Sequence, residues 1–413
     1  MLSPGQTVQL RVEKPAVGGR MITRVDGQIV FVGGAIPGER VTATIERVAK
    51  GLAYAQTIAV DEPSPSRRQA TSDPLCGGCL YAHIAYDHQR HIKSLIVADA
   101  FARIARLDLP AEVDVAPSPE EGYRMRARLH VRGGRIGFFR EGTHDLCDPR
   151  QTGQLLAASC DVLDRVSAGL RSLRIEQAVR EIELSENVDA SQRVVHVDLV
   201  SPVDARALAK AVSGEGLTPG PHVTDTLTIE GHAIRLQRHV LAFFQGNRYL
   251  LRNLVAHVVS QVPTGASVID LYAGAGLFSV SSSAARSARV TAVEGDRFAA
   301  ADLKANVLAA GGSVDVVHAP VETFVARARG ARATMIVDPP RTGMSREAVE
   351  GVIALDPSRV VYVSCDVATL ARDARRFVDA GYRIVRIDAF DMFPNTPHVE
   401  TVIVMDRASS YGT

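Results

Sequence analysis

Apolar and polar positions fall into three regimes along the chain. In residues 1–62, short β-type runs at 7–12, 28–32, 40–48 and 53–60 are separated by Gly18-Gly19, Gly27, Gly33-Gly34 and Gly38. Many short strands at this spacing predict a small β-barrel. The stretch Glu62-Pro63-Ser64-Pro65-Ser66-Arg67-Arg68 is polar and proline-containing and predicts a linker. Residues 69–240 are mixed, with a cysteine pair, a helical stretch at 88–106 and the segment 122–140. From 241 to 413 β-branched runs at 268–271, 289–293, 314–317, 334–337, 360–363, 382–387 and 399–405 alternate with Ala- and Arg-rich helical stretches. That alternation predicts an α/β domain with a doubly wound sheet.

Within 122–140 the residues Arg124, Arg126, Arg128, His130 and Arg132 recur with period two, so they share one face of a strand. Gly133-Gly134 predicts the hairpin turn. As a solvated strand face the stripe needs no partner. Alternatively, six arginines without a local acid point to a bound phosphate. A formal net charge of +1 supplies no overall attraction to nucleic acid, so any RNA contact must come from such local concentrations. No run of about 18 apolar residues could span a bilayer and no signal-peptide pattern opens the chain, so the expectation is a cytoplasmic protein without a membrane.

After the run at 268–271 comes Tyr272-Ala273-Gly274-Ala275-Gly276-Leu277-Phe278, a glycine turn opening a helix. A dinucleotide fingerprint wants a third glycine at 279, where Ser279 stands. Glu294 lies 24 positions after Asp270, placed for ribose hydroxyls in either a nicotinamide or an S-adenosylmethionine site. The next run ends in Asp338-Pro339-Pro340-Arg341, a rigid loop at the carboxyl edge of the sheet. That loop resembles the one facing the target base in class I S-adenosylmethionine-dependent methyltransferases.

The run 360–363 delivers Ser364-Cys365-Asp366 to the same edge as Asp338. A lone cysteine is most often a small buried hydrophobe; at a strand tip facing a cofactor cleft it is a candidate nucleophile. C5 of uracil gains electron density when a thiolate adds at C6, and the C5 proton must later be removed by a base. The segment Asp391-Met392-Phe393-Pro394-Asn395-Thr396-Pro397-His398-Val399-Glu400 offers His398 and Glu400.

Together, Asp338-Pro-Pro-Arg, Ser364-Cys365-Asp366 with Thr369-Leu370-Ala371-Arg372-Asp373, and the 391–400 segment resemble the signature set of the RNA 5-methyluridine methyltransferase family, which acts on tRNA or large-subunit rRNA. The resemblance implies Cys365 as nucleophile and Glu400 as the base. It also implies Gln245 (in Phe243-Phe244-Gln245-x-Asn247), Tyr272, Gly274, Gly276, Glu294 and Asp338 around S-adenosyl-L-methionine. Residues 1–62 resemble a TRAM domain, a small RNA-binding barrel, which tilts the expected substrate toward rRNA. The match at 122–128 makes Arg124, Arg126, Arg128 and Arg132 RNA contacts of a central domain (69–240) ahead of the catalytic domain (241–413). No obligate protein partner is implied.

Many relatives with this barrel carry four cysteines for a [4Fe-4S] cluster, spaced C-x5-C-x2-C with a distant fourth. Cys76 and Cys79 supply the close pair as candidate metal ligands, but Ala70 occupies the first position. A complete cluster would need both Cys147 and Cys160, or a non-cysteine ligand. The expectation is an incomplete set. Two other readings remain open from sequence: a base N-methyltransferase, whose amine would not need Cys365, and a non-catalytic RNA-binding assembly factor.

Overall fold

The computed structural model describes residues 2–70, 72–110, 112–330 and 332–408. The chain opens with a six-stranded barrel: β1 (Thr7–Arg11), β2 (Lys14–Pro15), β3 (Met21–Val25), β4 (Gln28–Gly33), β5 (Arg40–Ala49) and β6 (Leu52–Glu62), ordered β1-β5-β6-β4-β3-β2. Alternation decides its inside: Val30, Val32, Val41, Ala43, Ile45, Ala53 and Ala55 are buried, while their neighbours face outward. The stretch after β6 is a bolted strap rather than a free linker. Arg67 donates to both oxygens of the buried Glu39 at 2.6 and 2.7 Å, and the Ser64 amide donates to it at 3.0 Å.

A short strand β7 (Val115–Ala116) follows the helix Tyr86–Ala100. The central sheet comprises β8 (Arg126–Arg132), β9 (Arg135–Phe139), β10 (Leu146–Cys147), β11 (Val179–Glu186) and β12 (Arg193–Leu199) in the order β10-β9-β8-β11-β12. Gly133 and Gly134 form the β8–β9 turn with φ of 55° and 70°, the left-handed values that a two-residue hairpin turn requires. A separate hairpin pairs β13 (His222–Ile229) with β14 (His232–His239).

The third sheet is built from β15 (Ser267–Leu271), β16 (Arg289–Glu294), β17 (Val314–His318), β18 (Thr334–Val337), β19 (Arg359–Ser364), β20 (Tyr382–Phe390) and β21 (Glu400–Arg407), with β7 added at one edge. Its order, β17-β16-β15-β18-β19-β21-β20-β7, reverses direction between β15 and β18. Pairings from β17 through β19 are parallel, and β21 runs antiparallel to both neighbours. This is a doubly wound sheet, and its switch point is where such sheets bind ligands.

Two elements counted with the central segment from sequence pack elsewhere. The helix Tyr86–Ala100 buries Ile92, Ile96, Val97 and Ala100 in the same apolar cluster as barrel residues Val30 and Ile45 and sheet residues Met335 and Tyr362. The β13–β14 hairpin buries Leu227, Ile229, Ile234 and Leu236 with Leu254 and Phe278 of the helices Leu251–Ser260 and Leu277–Arg286, in an apolar cluster that also holds Ile336 and Val361 of the large sheet.

Candidate active site

β15 is buried from Val268 to Leu271, and the chain then turns sharply. Tyr272 sits at φ 60°, Gly274 at 57° and Gly276 at 95° before the helix Leu277–Arg286 begins. A left-handed tyrosine is a strained choice that packing must impose. At Gly276 a Cβ would come within 2.8 Å of Leu303 Cδ1, so close helix packing demands glycine there. Ser279, standing where a dinucleotide site has its third glycine, is buried and donates to Asp270. Burial pushes the Asp270 carboxyl up to about 7. Glu294 closes the turn: one oxygen accepts from Gly274 N at 2.7 Å and the other from Asp296 N at 2.6 Å. Each oxygen keeps a lone pair for a ribose hydroxyl.

β18 is buried throughout and hands the chain to Asp338. Asp338 accepts from Gln245 Nε2 at 3.0 Å, and its carboxyl is raised to about 7 by burial, against the lowering effect of Gln245. The Asp-Pro-Pro-Arg loop is clamped from behind by the motif that follows Cys365. Asp373 accepts from Tyr362 Oη at 2.8 Å and from Met344 N at 3.0 Å, and Arg372 Nη2 donates to the Thr342 and Met344 carbonyls at 3.2 Å each.

Cys365 lies between the end of β19 and the helix Val367–Asp379, whose N-cap Asp366 accepts from Thr369 N at 2.8 Å. Its thiol is pushed up to about 12, first by burial and then by Glu400 and Asp338, while the positive charge of Arg341, which lines the same cavity as the thiol, pulls the other way. Glu400 opens β21 and is 1% exposed; burial and then Asp338 raise its carboxyl well above the usual range. The loop leading to it is tied down at several points. Lys93 and Asp391 form an ion pair with both side chains fully buried, Lys93 Nζ donates to Phe393 O at 3.1 Å, and Asn395 exchanges bonds of 2.9 Å with Gln89. His398, the other candidate base, is driven down to about 4 by burial and the nearby Arg341 and Lys93.

One cavity of about 720 Å³ collects Cys365, Glu400, Gln245, Tyr272, Gly274, Glu294, Asp338, Arg124, Arg126 and Arg128. Gly276 serves the helix start instead, and Arg132 lies at the exposed end of β8, 5.8 Å from the Phe139 ring. The expectation of an arginine stripe without paired acids is corrected. Across β11, Glu183 stands opposite Arg128 and Glu181 opposite His130, with Arg128 Nε 2.5 Å from Glu183. The acids belong to a strand 55 residues further along the chain. Arg124 has no carboxylate partner among the described residues; it donates to Gln154 Oε1 at 2.8 Å and Arg126 O at 2.9 Å, and burial lowers its pKa.

Sequence reasoning assigned no role to Phe243, Arg341 or Phe393, all of which line this cavity. Phe243 is 61% exposed beside Arg126, 5.9 Å from its ring. Its signal was a doubled phenylalanine ahead of the cofactor strand, of which only Phe244 is buried.

The cysteine pair sits elsewhere, in the core of the central sheet. Cys76, Cys79 and Cys147 share one apolar cluster, and Ala70 packs against it; Cys160, of the same cluster, lies on the helix Ala157–Ser172 and lines a surface pocket with Arg150. Three sulfurs and a methyl group do not make the four-thiolate set of a [4Fe-4S] cluster. Among the described residues, no group of three or more His, Cys, Asp or Glu is arranged to hold a metal. No helix described is long and apolar enough to cross a membrane.

Comparison with known proteins agrees with this geometry. The tRNA (Uracil-5-)-methyltransferase family model matches residues 181–408, and the TRAM domain model matches residues 2–58. The chain is 32% identical to a 23S rRNA (uracil(1939)-C(5))-methyltransferase of Pseudomonas putida, over 97% of this chain and 94% of that one. It is 31% identical to the protein of that name in Halomonas elongata, over 97% and 90%. The crystal structure of Pyrococcus abyssi tRNA (uracil-54, C5)-methyltransferase with S-adenosyl-L-homocysteine superposes with a TM-score of 0.74 at 25% identity, covering 96% of this chain and 99% of that one. The family model over 181–408, the TRAM model over 2–58 and likeness running along nearly the whole chain show that this protein belongs to the RNA (uracil-5-)-methyltransferase family and methylates uracil C5 in RNA with S-adenosyl-L-methionine.

Proposed function

We propose that Cys365 attacks C6 of the target uridine and that Glu400 removes the C5 proton. The observation that carries this reading is that the thiol and the buried carboxyl share one cavity with the glycine turn and Asp338. Gln245, Tyr272, Gly274, Glu294 and Asp338 would hold S-adenosyl-L-methionine, which supplies an electrophilic methyl group. Glu294 suits the ribose, since both its oxygens are already oriented by backbone amides.

The Cys365 sulfur forms a bond to C6 while the C5=C6 pair moves toward the O4 enolate, making C5 nucleophilic. Arg341, on the same cavity, favours the anion at the moment of attack and offsets part of the desolvation that keeps the thiol protonated. After C5 is methylated, Glu400 accepts its proton; the pair left behind re-forms C5=C6 and expels the Cys365 thiolate. A carboxyl whose pKa burial has raised is a stronger base once ionised than an exposed glutamate.

The experiment is trapping. Glu400→Gln should accumulate a denaturation-resistant protein–RNA adduct in the presence of cofactor, and Cys365→Ala should form none and transfer no methyl. Methyl transfer by Cys365→Ala would overturn the covalent route.

We also propose large-subunit ribosomal RNA as the substrate, in a cytoplasmic setting. Support comes from the two relatives above 30% identity, both named for 23S rRNA, with the likeness running through the barrel. Mapping 5-methyluridine in rRNA and tRNA from a strain lacking the gene tests it; loss confined to tRNA would refute it.

A further inference from the structure

We propose that the outer face of the barrel carries a stacking platform for an unpaired nucleotide of the RNA, built from Arg47, Tyr54 and Phe31. These residues occupy one lateral row across three adjacent strands: Arg47 on β5 is in register with Tyr54 on β6, which is in register with Phe31 on β4. The two rings stack with centroids 5.3 Å apart and planes 22° from parallel, and the Arg47 guanidinium lies 3.5 Å from the Tyr54 centroid. Their neighbours Val30, Val32, Ala53 and Ala55 point into the barrel, so the row stands on the side away from the core.

Three features separate this row from an ordinary cross-strand pair. Arg47 is exposed and makes no ion pair among the described residues, so its charge is free for a phosphate while its plane extends the aromatic stack. Ile58, beyond Gln56 on β6 at a bulge in the β5–β6 pairing, is 60% exposed and leaves a second apolar side chain on this strand open to solvent. The row also adjoins the catalytic loop. Arg20, 5.9 Å from the Tyr54 ring, follows Gly19, where a Cβ would touch Pro397 at 3.0 Å, and Pro397 lies three residues before Glu400. Stacked rings with an unpaired guanidinium fit a nucleobase and its phosphate, a recognition tolerant of base identity. The face therefore takes a single-stranded nucleotide flanking the target uridine. This inference rests on RNA as the substrate and is independent of the Cys365 chemistry, so binding and adduct formation can fail separately.

The test uses the full chain and a single-stranded oligouridine of about 12 nucleotides, within the span such platforms cover. Tyr54→Leu keeps apolar bulk but removes the π-face and should weaken binding by about 5- to 100-fold, while Tyr54→Phe should bind as the parent does. Arg47→Ala should lower the slope of log affinity against log salt by about 0.7. Unchanged affinity in Tyr54→Leu overturns the proposal. Should that variant fold poorly, photocrosslinking of 4-thiouridine RNA to the unaltered chain decides: uridine-bearing peptides containing Tyr54 or Phe31 are expected, and crosslinks found only at cavity residues such as Phe243 would refute it.

Discussion

Replacing Lys93 with methionine should disable the active site from behind. Lys93 touches no substrate: it projects from the helix Tyr86–Ala100 into a site where its own side chain and that of Asp391 are both fully buried. Burial drives the Lys93 pKa down and Asp391 holds it up, so the charged state depends on the pair. Removing one member leaves an uncompensated buried carboxylate, which costs about 3–5 kcal/mol, whereas replacing both partners by apolar or neutral groups is often close to neutral. Lys93→Met should therefore destabilise the 391–399 segment by that order, and Lys93→Met/Asp391→Asn by much less than the sum of the singles. The segment ends at Glu400, and a misplacement of about 1 Å in a reacting group costs about 100-fold in rate. Hydrogen exchange over 391–399 reads the local opening, and single-turnover methyl transfer reads the chemistry, with RNA affinity expected to change little. A single-mutant cost below about 1 kcal/mol, or additive singles, would refute the reasoning.

Cys365 must lose its proton before it adds, so kcat/KM should climb with pH from neutrality toward the thiol's value of about 12, and Arg341→Gln should lower it at every pH by removing a positive charge that favours the thiolate. A profile falling above pH 7 would contradict this. Asp270 has a folded-state pKa raised to about 7 from an ordinary 3.8, so the fold binds a proton that the unfolded chain releases, and stability falls as pH rises between those values. Asp270→Asn should flatten that decline, by up to about 4 kcal/mol, in denaturant titrations at several pH values; an unchanged pH profile would count against it. Gly276→Ala must fit a Cβ 2.8 Å from Leu303 at φ 95°, so calorimetry should show weakened S-adenosyl-L-methionine binding with Cys365 and Glu400 intact.

What the sequence revealed and what it concealed divide on whether the partner of a residue is local. The central strands of the large sheet were legible because parallel strands buried on both faces read as unbroken apolar runs, and β18 and Val360 to Val363 of β19 are wholly buried. Cys365 was legible because such a run delivers it to a known edge. The hairpin β13–β14 was not, since HVTDTLTI and HAIRLQRH are half polar and their apolar faces find their main partners on helices further along the chain. The helix Tyr86–Ala100 carries a clear apolar face, yet nothing local says that the face belongs to the barrel and catalytic cores.

The arginine stripe is the sharpest case. Its spacing on one strand face follows from period two alone, but its electrostatics depend on β11, which sets Glu183 and Glu181 against Arg128 and His130. Arg128 thus spends its charge within the sheet, while Arg126 is held 3.8 Å from Glu183 and Arg124 donates to an amide oxygen and a carbonyl and lies 5.2 Å from the Phe138 ring centroid. Desolvated and without a carboxylate, Arg124 is costly to the folded chain unless an anion completes it. It borders the same cavity as Cys365. A phosphate beside the target uridine would complete it, and RNA contact there would concentrate at the inner end of the stripe, next to the chemistry, the attraction that the net charge does not provide.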